Sequence, residues 1–212
     1  LYAVDASSGE EEWSFETGDE VYSSPTVVDN TVYIGSWDDN LYAVDALSRD
    51  EVWSFETGGL VVSSPTVVDD TVYIGSNDNN LYAVDASSGE QEWSFETGDE
   101  VYSSPTVVDD TVYVGSFDGN LYAVDTSSGE QEWSFETGDE VYSSPTVVDD
   151  TVYIGSFDSN LYAVDALSGD EVWSFETGKE VESSPTVVDY IESSPTVVDD
   201  TVYVGSADSN LY

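Results

Sequence analysis

The sequence has no cysteine, no histidine and no methionine, and among its 212 residues only Arg49 and Lys179 carry positive charge. Each absence removes a class of chemistry. Without Cys there is no disulfide framework, no thiol nucleophile and no thiolate metal site. Without His the usual general base and the commonest transition-metal ligand are missing. Two cations cannot build the basic patch that nucleic acid or anionic lipid requires, so neither is expected as a partner. No apolar run approaches the ~20 residues of a membrane span, and no signal peptide is visible. The lack of Met leads us to expect a processed product or a fragment.

What is present points two ways. Forty-six acids against two bases give a net formal charge of −44, a balance typical of disordered chains. Yet 39% of the residues are hydrophobic and 13% aromatic, too much apolar material for a solvating tail.

The pattern that reconciles the two is repetition. LYAVD begins at Leu1, Leu41, Leu81, Leu121 and Leu161, a period of 40, and WSFETG, SSPTVVD and TVYIGS or TVYVGS recur at constant offsets. The repeats run 1–40, 41–80, 81–120, 121–160 and 161–212, and together form one domain or a part of one. Residues 181–190 are duplicated as 191–200, which we expect to form a loop. Repeats 81–120 and 121–160 differ only at Ala86/Thr126, Val114/Ile154 and Gly119/Ser159.

Each repeat reads as four short strands. In the first complete set these are Ser23–Val28, Thr31–Ser36, Leu41–Asp45 and Glu51–Glu56. β-branched and aromatic residues fill the strands, while Asp, Asn, Gly and Ser fill the joints. Val32 and Ile34 oppose Tyr33, and Leu41 and Ala43 oppose Tyr42 and Val44, so both faces of the sheet are apolar. A sheet buried on both faces needs a neighbour on each. Four-stranded antiparallel units of about 40 residues, each packed between two copies of itself, describe an all-β fold of the β-propeller type. Proline cannot donate to a strand ladder. Pro25, Pro65, Pro105, Pro145, Pro185 and Pro195 therefore place SSPTVV innermost and the Trp-bearing strand outermost.

At this level of detail the repeat resembles a known family. Ala3, Asp5, Gly9 and Trp13, with Ser8 before the glycine, match the tryptophan-docking motif of the PQQ-type β-propeller repeat, with Ser in place of its Thr. The motif returns as Ala83, Asp85, Gly89, Trp93; as Ala123, Asp125, Gly129, Trp133; and as Ala163, Asp165, Gly169, Trp173. In the copy Ala43, Asp45, Trp53 the glycine is replaced by Arg49. The resemblance implies that the Trp packs on a neighbouring blade and that the Asp and Ser-Gly turn tie the blade together. The family spans quinoprotein dehydrogenases, the lipoprotein scaffold of outer-membrane assembly, and acidic proteins of halophilic archaea, which this composition is most similar to. Relatives usually have seven or eight blades. A fragment of such a ring is the first expectation, and a closed five-blade ring, completed by pairing residues 1–16 with 193–206, is the second.

The residues that vary against this constant background are Trp37, Asn77, Phe117, Phe157 and Ala207 before one turn, and Tyr22, Val62, Tyr102, Tyr142 and Glu182 before the innermost strand. Trp37, Phe117 and Phe157 are candidate partner contacts. Their other reading is packing at the hairpin end or on the next blade. The second series either lines a channel mouth or packs. The Asp/Asn turns Asp38–Asn40, Asp78–Asn80, Asp118–Asn120, Asp158–Asn160 and Asp208–Asn210 are read as hairpin chemistry rather than metal sites, with weak cation binding expected from the charge. The SSPT hydroxyls have no evident base, so no catalytic residue is assigned. The expectation is a non-enzymatic scaffold with a protein partner and no cofactor, working outside the cell or on the surface of a halophile. The alternatives are a piece of a quinoprotein dehydrogenase using PQQ with calcium, and a cell-surface module binding carbohydrate.

Overall fold

A computed structural model describes residues 1–188, 201–204 and 206–208. Most of the ten-residue duplication lies outside the described residues. Twenty β-strands make up the regular structure described, and no peptide bond among these residues is cis.

The chain opens with a two-stranded sheet, β1 (Tyr2–Val4) and β2 (Glu11–Ser14). Four four-stranded antiparallel sheets follow in strict chain order. The first is β3 (Thr26–Val28), β4 (Thr31–Gly35), β5 (Asn40–Asp45) and β6 (Glu51–Glu56). The second is β7 (Thr66–Val68), β8 (Thr71–Gly75), β9 (Asn80–Asp85) and β10 (Gln91–Glu96). The third is β11 (Thr106–Val108), β12 (Thr111–Gly115), β13 (Asn120–Asp125) and β14 (Gln131–Glu136). The fourth is β15 (Thr146–Val148), β16 (Thr151–Gly155), β17 (Asn160–Asp165) and β18 (Glu171–Glu176). A final pair, β19 (Thr186–Val188) and β20 (Thr201–Tyr203), completes the set. These sheets are the blades of a β-propeller. The innermost strands β3, β7, β11, β15 and β19 touch one another in succession.

Two expectations need correction. The first strand of each blade does not run from Ser23 but starts at Thr26, after the proline. Pro25 has no N–H to give a ladder, and the serines before it are engaged sideways. Ser24 N–H donates to Ser64 Oγ at 2.9 Å and Thr26 Oγ1 donates to the Pro65 carbonyl at 2.5 Å. The same pair of bonds links Ser64 and Thr66 to Ser104 and Pro105, and continues to Ser184 and Pro185. The Ser-Pro-Thr hydroxyls are thus the seam between blades. The second correction concerns closure. Among the described residues β1–β2 and β19–β20 remain separate two-stranded sheets, and the five-blade ring is not closed.

The core lies between blades rather than within one. Tyr33, Leu41, Ala43 and Trp53 of the first blade meet Val61, Val72, Ile74 and Val84 of the second. The same arrangement recurs at the next two interfaces. The sheet pleat produces this by sending alternate residues to opposite faces. Each blade therefore offers one apolar face forward and one back. Full burial of one Val, Leu or Ile side chain is worth about 1.5–3 kcal/mol, so every interface carries several such contributions.

The Trp-docking turn is built the same way in every complete copy. A β-bulge between Ala43 and Val44 puts one extra residue in β6 and aims Trp53 across the interface. The Trp53 indole N–H then donates to the Ala86 carbonyl of the next blade at 3.0 Å. Trp93 and Trp133 do the same with Thr126 and Ala166. Gly89 lies directly beneath the Trp53 ring, where a Cβ would come within 2.7 Å of it, and its φ is +72°. Arg49 holds φ +70° in place of the glycine, and among the described residues the Trp13 indole makes no such bond.

Candidate functional site

Antiparallel alternation assigns the loops to two rims. The hairpins β3–β4 and β5–β6 face one rim. The β4–β5 turn and the connection from β6 to the next blade face the other. Both variable series therefore share that second rim.

There the rings assemble into stacks. Tyr22 stacks on Trp37 at 4.5 Å between centroids and 16° between planes. Tyr102 stacks on Phe117 at 4.5 Å and on Tyr142 at 5.5 Å. Tyr142 stacks in turn on Phe157 at 6.3 Å, and Phe117 touches both Tyr142 and Phe157. The Asn77 amide donates to the Tyr102 hydroxyl at 2.7 Å and carries the contact one blade back. The result is an arc of rings that crosses blade boundaries. Trp37, Phe117 and Phe157 are half-buried within it, while Tyr22 is 62% and Tyr142 38% exposed. Packing and exposure thus coexist. Backbone bonds hold the ring-bearing loops: Trp37, Phe117 and Phe157 N–H each donate at 2.9 Å to the carbonyls of Glu20, Glu100 and Glu140. The arc ends where Lys179, exposed Glu182 and exposed Ala207 replace the acid and the rings.

Two polar atoms inside the arc are buried without a hydrogen-bond partner, the indole nitrogen of Trp37 and Oδ1 of Asn77.

Beneath the rings, the turn aspartates are structural junctions. Asp78 Oδ2 accepts from the Tyr82 hydroxyl at 2.7 Å and from the Gly58 N–H of the preceding blade at 2.6 Å, while Oδ1 accepts from Asn80. Asp38, Asp118 and Asp158 repeat the junction. Among the described residues no three acidic groups gather in a way that would hold a metal ion, and the resident carboxylates are already engaged by donors of the protein. The motif aspartates behave likewise. Asp85 accepts from Ser87 and Ser88 through both backbone and hydroxyl, and the Ser87 hydroxyl leads in holding it down at about 2.

Burial, followed by donation to Asp38, pushes the Tyr42 hydroxyl up to about 12. Tyr82, Tyr122 and Tyr162 move further in the same direction for the same reasons. Raised folded values mean that the stability tied to these groups is complete below the ordinary phenol value near 10. It is lost as pH rises through the folded values. Alkaline titration of tyrosinate absorbance should therefore show a late group that ionises together with loss of β-sheet circular dichroism. A single transition near pH 10 with the sheet signal intact would contradict the junctions.

The opposite rim carries shallow clefts over the docking turns. One, of about 280 Å³, is lined by Asp69, Glu92, Asp109 and Asp110 around Tyr73 and Trp93. A second, of about 480 Å³, lies one blade earlier around Asp29, Asp69, Asp70 and Tyr33.

The structure brings Phe117 and Phe157 into one continuous cluster with Tyr102 and Tyr142, and pairs Trp37 with Tyr22. It places the docking residues on separate blade interfaces. The joining of the two variable series was not read from the sequence. The available signal was strand alternation, which puts both connections on one rim.

Comparison with known proteins places this geometry. The family described as beta-alanine-activating enzyme, beta-propeller, matches residues 1–192. Among solved structures, the crystal structure of BamB from Moraxella catarrhalis matches with a TM-score of 0.80 over 96% of this chain, at 22% identity. The chain spans 63% of that protein's length, and the likeness is one of fold. No curated protein matches. Among the described residues no helix is long and apolar enough to cross a membrane.

Proposed function

From the premise that the chain belongs to the β-propeller family of the beta-alanine-activating enzyme, with PQQ-type repeats, we propose that it is a non-catalytic scaffold that binds a protein partner through the aromatic arc. One observation carries this reading. Across the repeats the arc positions change, Trp37, Asn77 and Phe117 in one series and Tyr22 and Val62 in the other, while the docking Trp, the junction Asp and the Ser-Pro-Thr residues that hold the blades together stay the same. Aromatic side chains that are partly buried and partly open are the usual anchors of protein interfaces. The rest of each blade is occupied in holding the stack: the SSPT hydroxyls in the seam, the Trp in docking, the Asp in junctions. With no His and one Lys, the chain offers its hydroxyls no ordinary activating base. Setting and location follow from charge. A chain at −44 suits a high-salt environment, and the surface of a halophile is the proposed place of work.

A photo-crosslinking residue at position 142 should yield a discrete adduct with a protein from a matching extract in molar salt. The same residue at position 110, on the far rim, should not. Adducts of equal yield from both positions, or quinone-dependent substrate oxidation by the purified chain supplied with calcium, would overturn the reading.

A further inference from the structure

The proposed function leaves the partner's chemistry open, and the arc itself narrows it. We propose that the arc receives a basic segment of a polypeptide, seating Arg or Lys side chains over the ring faces.

Tyr22, stacked on Trp37, is 62% exposed, and Tyr142 keeps 38% of its surface exposed beside its stacking partners; aromatic rings carry negative charge density on their faces that attracts cations. Each ring-bearing loop is tied through its backbone N–H to the carbonyl of Glu20, Glu100 or Glu140, and an aspartate, Asp19, Asp99 or Asp139, precedes each of these in the chain. Burial first and then the nearby Glu100 carboxylate raise the Tyr102 hydroxyl. Between Tyr22 and Phe157 no residue of either variable series is basic. A neutral or acidic partner would meet this rim in the field of a chain carrying −44. At the molar salt proposed for this chain only carboxylates within a Debye length of ~3 Å still attract, and a basic segment meets those of the loops and the rings at the same spot.

This inference rests on the rim being the interface, and the test separates the two. The probe is a capped heptapeptide alternating glycine and arginine, titrated by calorimetry in about 1 M KCl, where the Debye length of ~3 Å suppresses diffuse attraction. Tyr142→Leu and Phe117→Leu change no charge and should each weaken binding about tenfold. Asp110→Asn on the far rim should change it less than twofold. Circular dichroism in the same buffer confirms that each variant is folded. Equal affinity for wild type and the two ring variants would overturn the inference by showing only diffuse attraction. Binding of a malto-oligosaccharide that is lost with the same ring variants, without peptide binding, would also overturn it. A crosslinked partner at position 142 that presents no basic segment would sink this inference and leave the proposed function standing.

Discussion

Gly75→Ala is expected to lower the unfolding free energy by about 3 kcal/mol, the upper part of the range for forcing atoms into a filled core. Gly75 closes β8, where Val101 of the next blade lies against it. A Cβ here would meet the Val101 side chain and would lie 2.7 Å from its carbonyl oxygen. Val101 is fully buried, and its N–H is bonded to the Ser76 carbonyl at 3.1 Å. Neither side can yield without separating the blades. Gly9→Ala is the matched control. Gly9 has φ +72° but nothing within 4 Å of its would-be Cβ, so only backbone strain of about 1–2 kcal/mol applies. Gly89→Ala combines the same φ with the Trp53 ring and should exceed Gly9→Ala. Urea midpoints in molar salt measure all three. Equal losses at Gly9 and Gly89 would mean that the Trp–Gly contact contributes nothing.

The second large effect is that of salt. Nearly all acids lie on turns, rims and outer strands: the outermost strands β6, β10 and β14 alternate exposed Glu with the buried Trp. Folding brings these charges together, and self-repulsion opposes the compact state. The Debye length falls from ~8 Å at 0.15 M to ~3 Å at 1 M. The thermal midpoint should therefore climb by tens of degrees between roughly 0.1 M and 2 M KCl, with the chain largely unfolded at the low end. A cooperative melt that does not move over that range would remove the argument for a saline setting.

Much of this was legible because the blade is a local object. The period of 40, the four strands, the inward proline and the Trp motif all depend on residues close in sequence, and repetition multiplied each signal five times. What was not legible depends on partners in other blades. The bond from Thr66 to Pro105 spans 39 residues, so its spacing is nearly that of the repeat and adds no separate signal. Serines and threonines beside Pro65 were therefore read only as part of the innermost strand, with no base to activate their hydroxyls. Asp78 looked like hairpin chemistry, which it is, but its second acceptance from Gly58 lies one blade away. Trp37 and Phe117 could be marked as variable, yet whether such rings pack or protrude depends on what sits at Tyr22, Tyr102 and Tyr142. The arc does both. The closed ring, the second expectation, fails because β1–β2 and β19–β20 remain separate two-stranded sheets, and residues 193–200 of the expected pairing lie outside the described residues.

The exposed outer strands have a cost of their own. Among the described residues each of β6, β10, β14 and β18 presents a row of backbone N–H and C=O groups with no strand beyond it, a template for joining another molecule edge to edge. Glu51, Glu56, Glu92, Glu96, Glu132, Glu136, Glu171 and Glu176 stand along those edges and keep like edges apart by repulsion. Salt strengthens the blade stack by weakening the same charges that guard its perimeter. Soluble, folded protein therefore occupies a window of ionic strength. Below it the blades separate, and above it the molecules begin to add strands to one another.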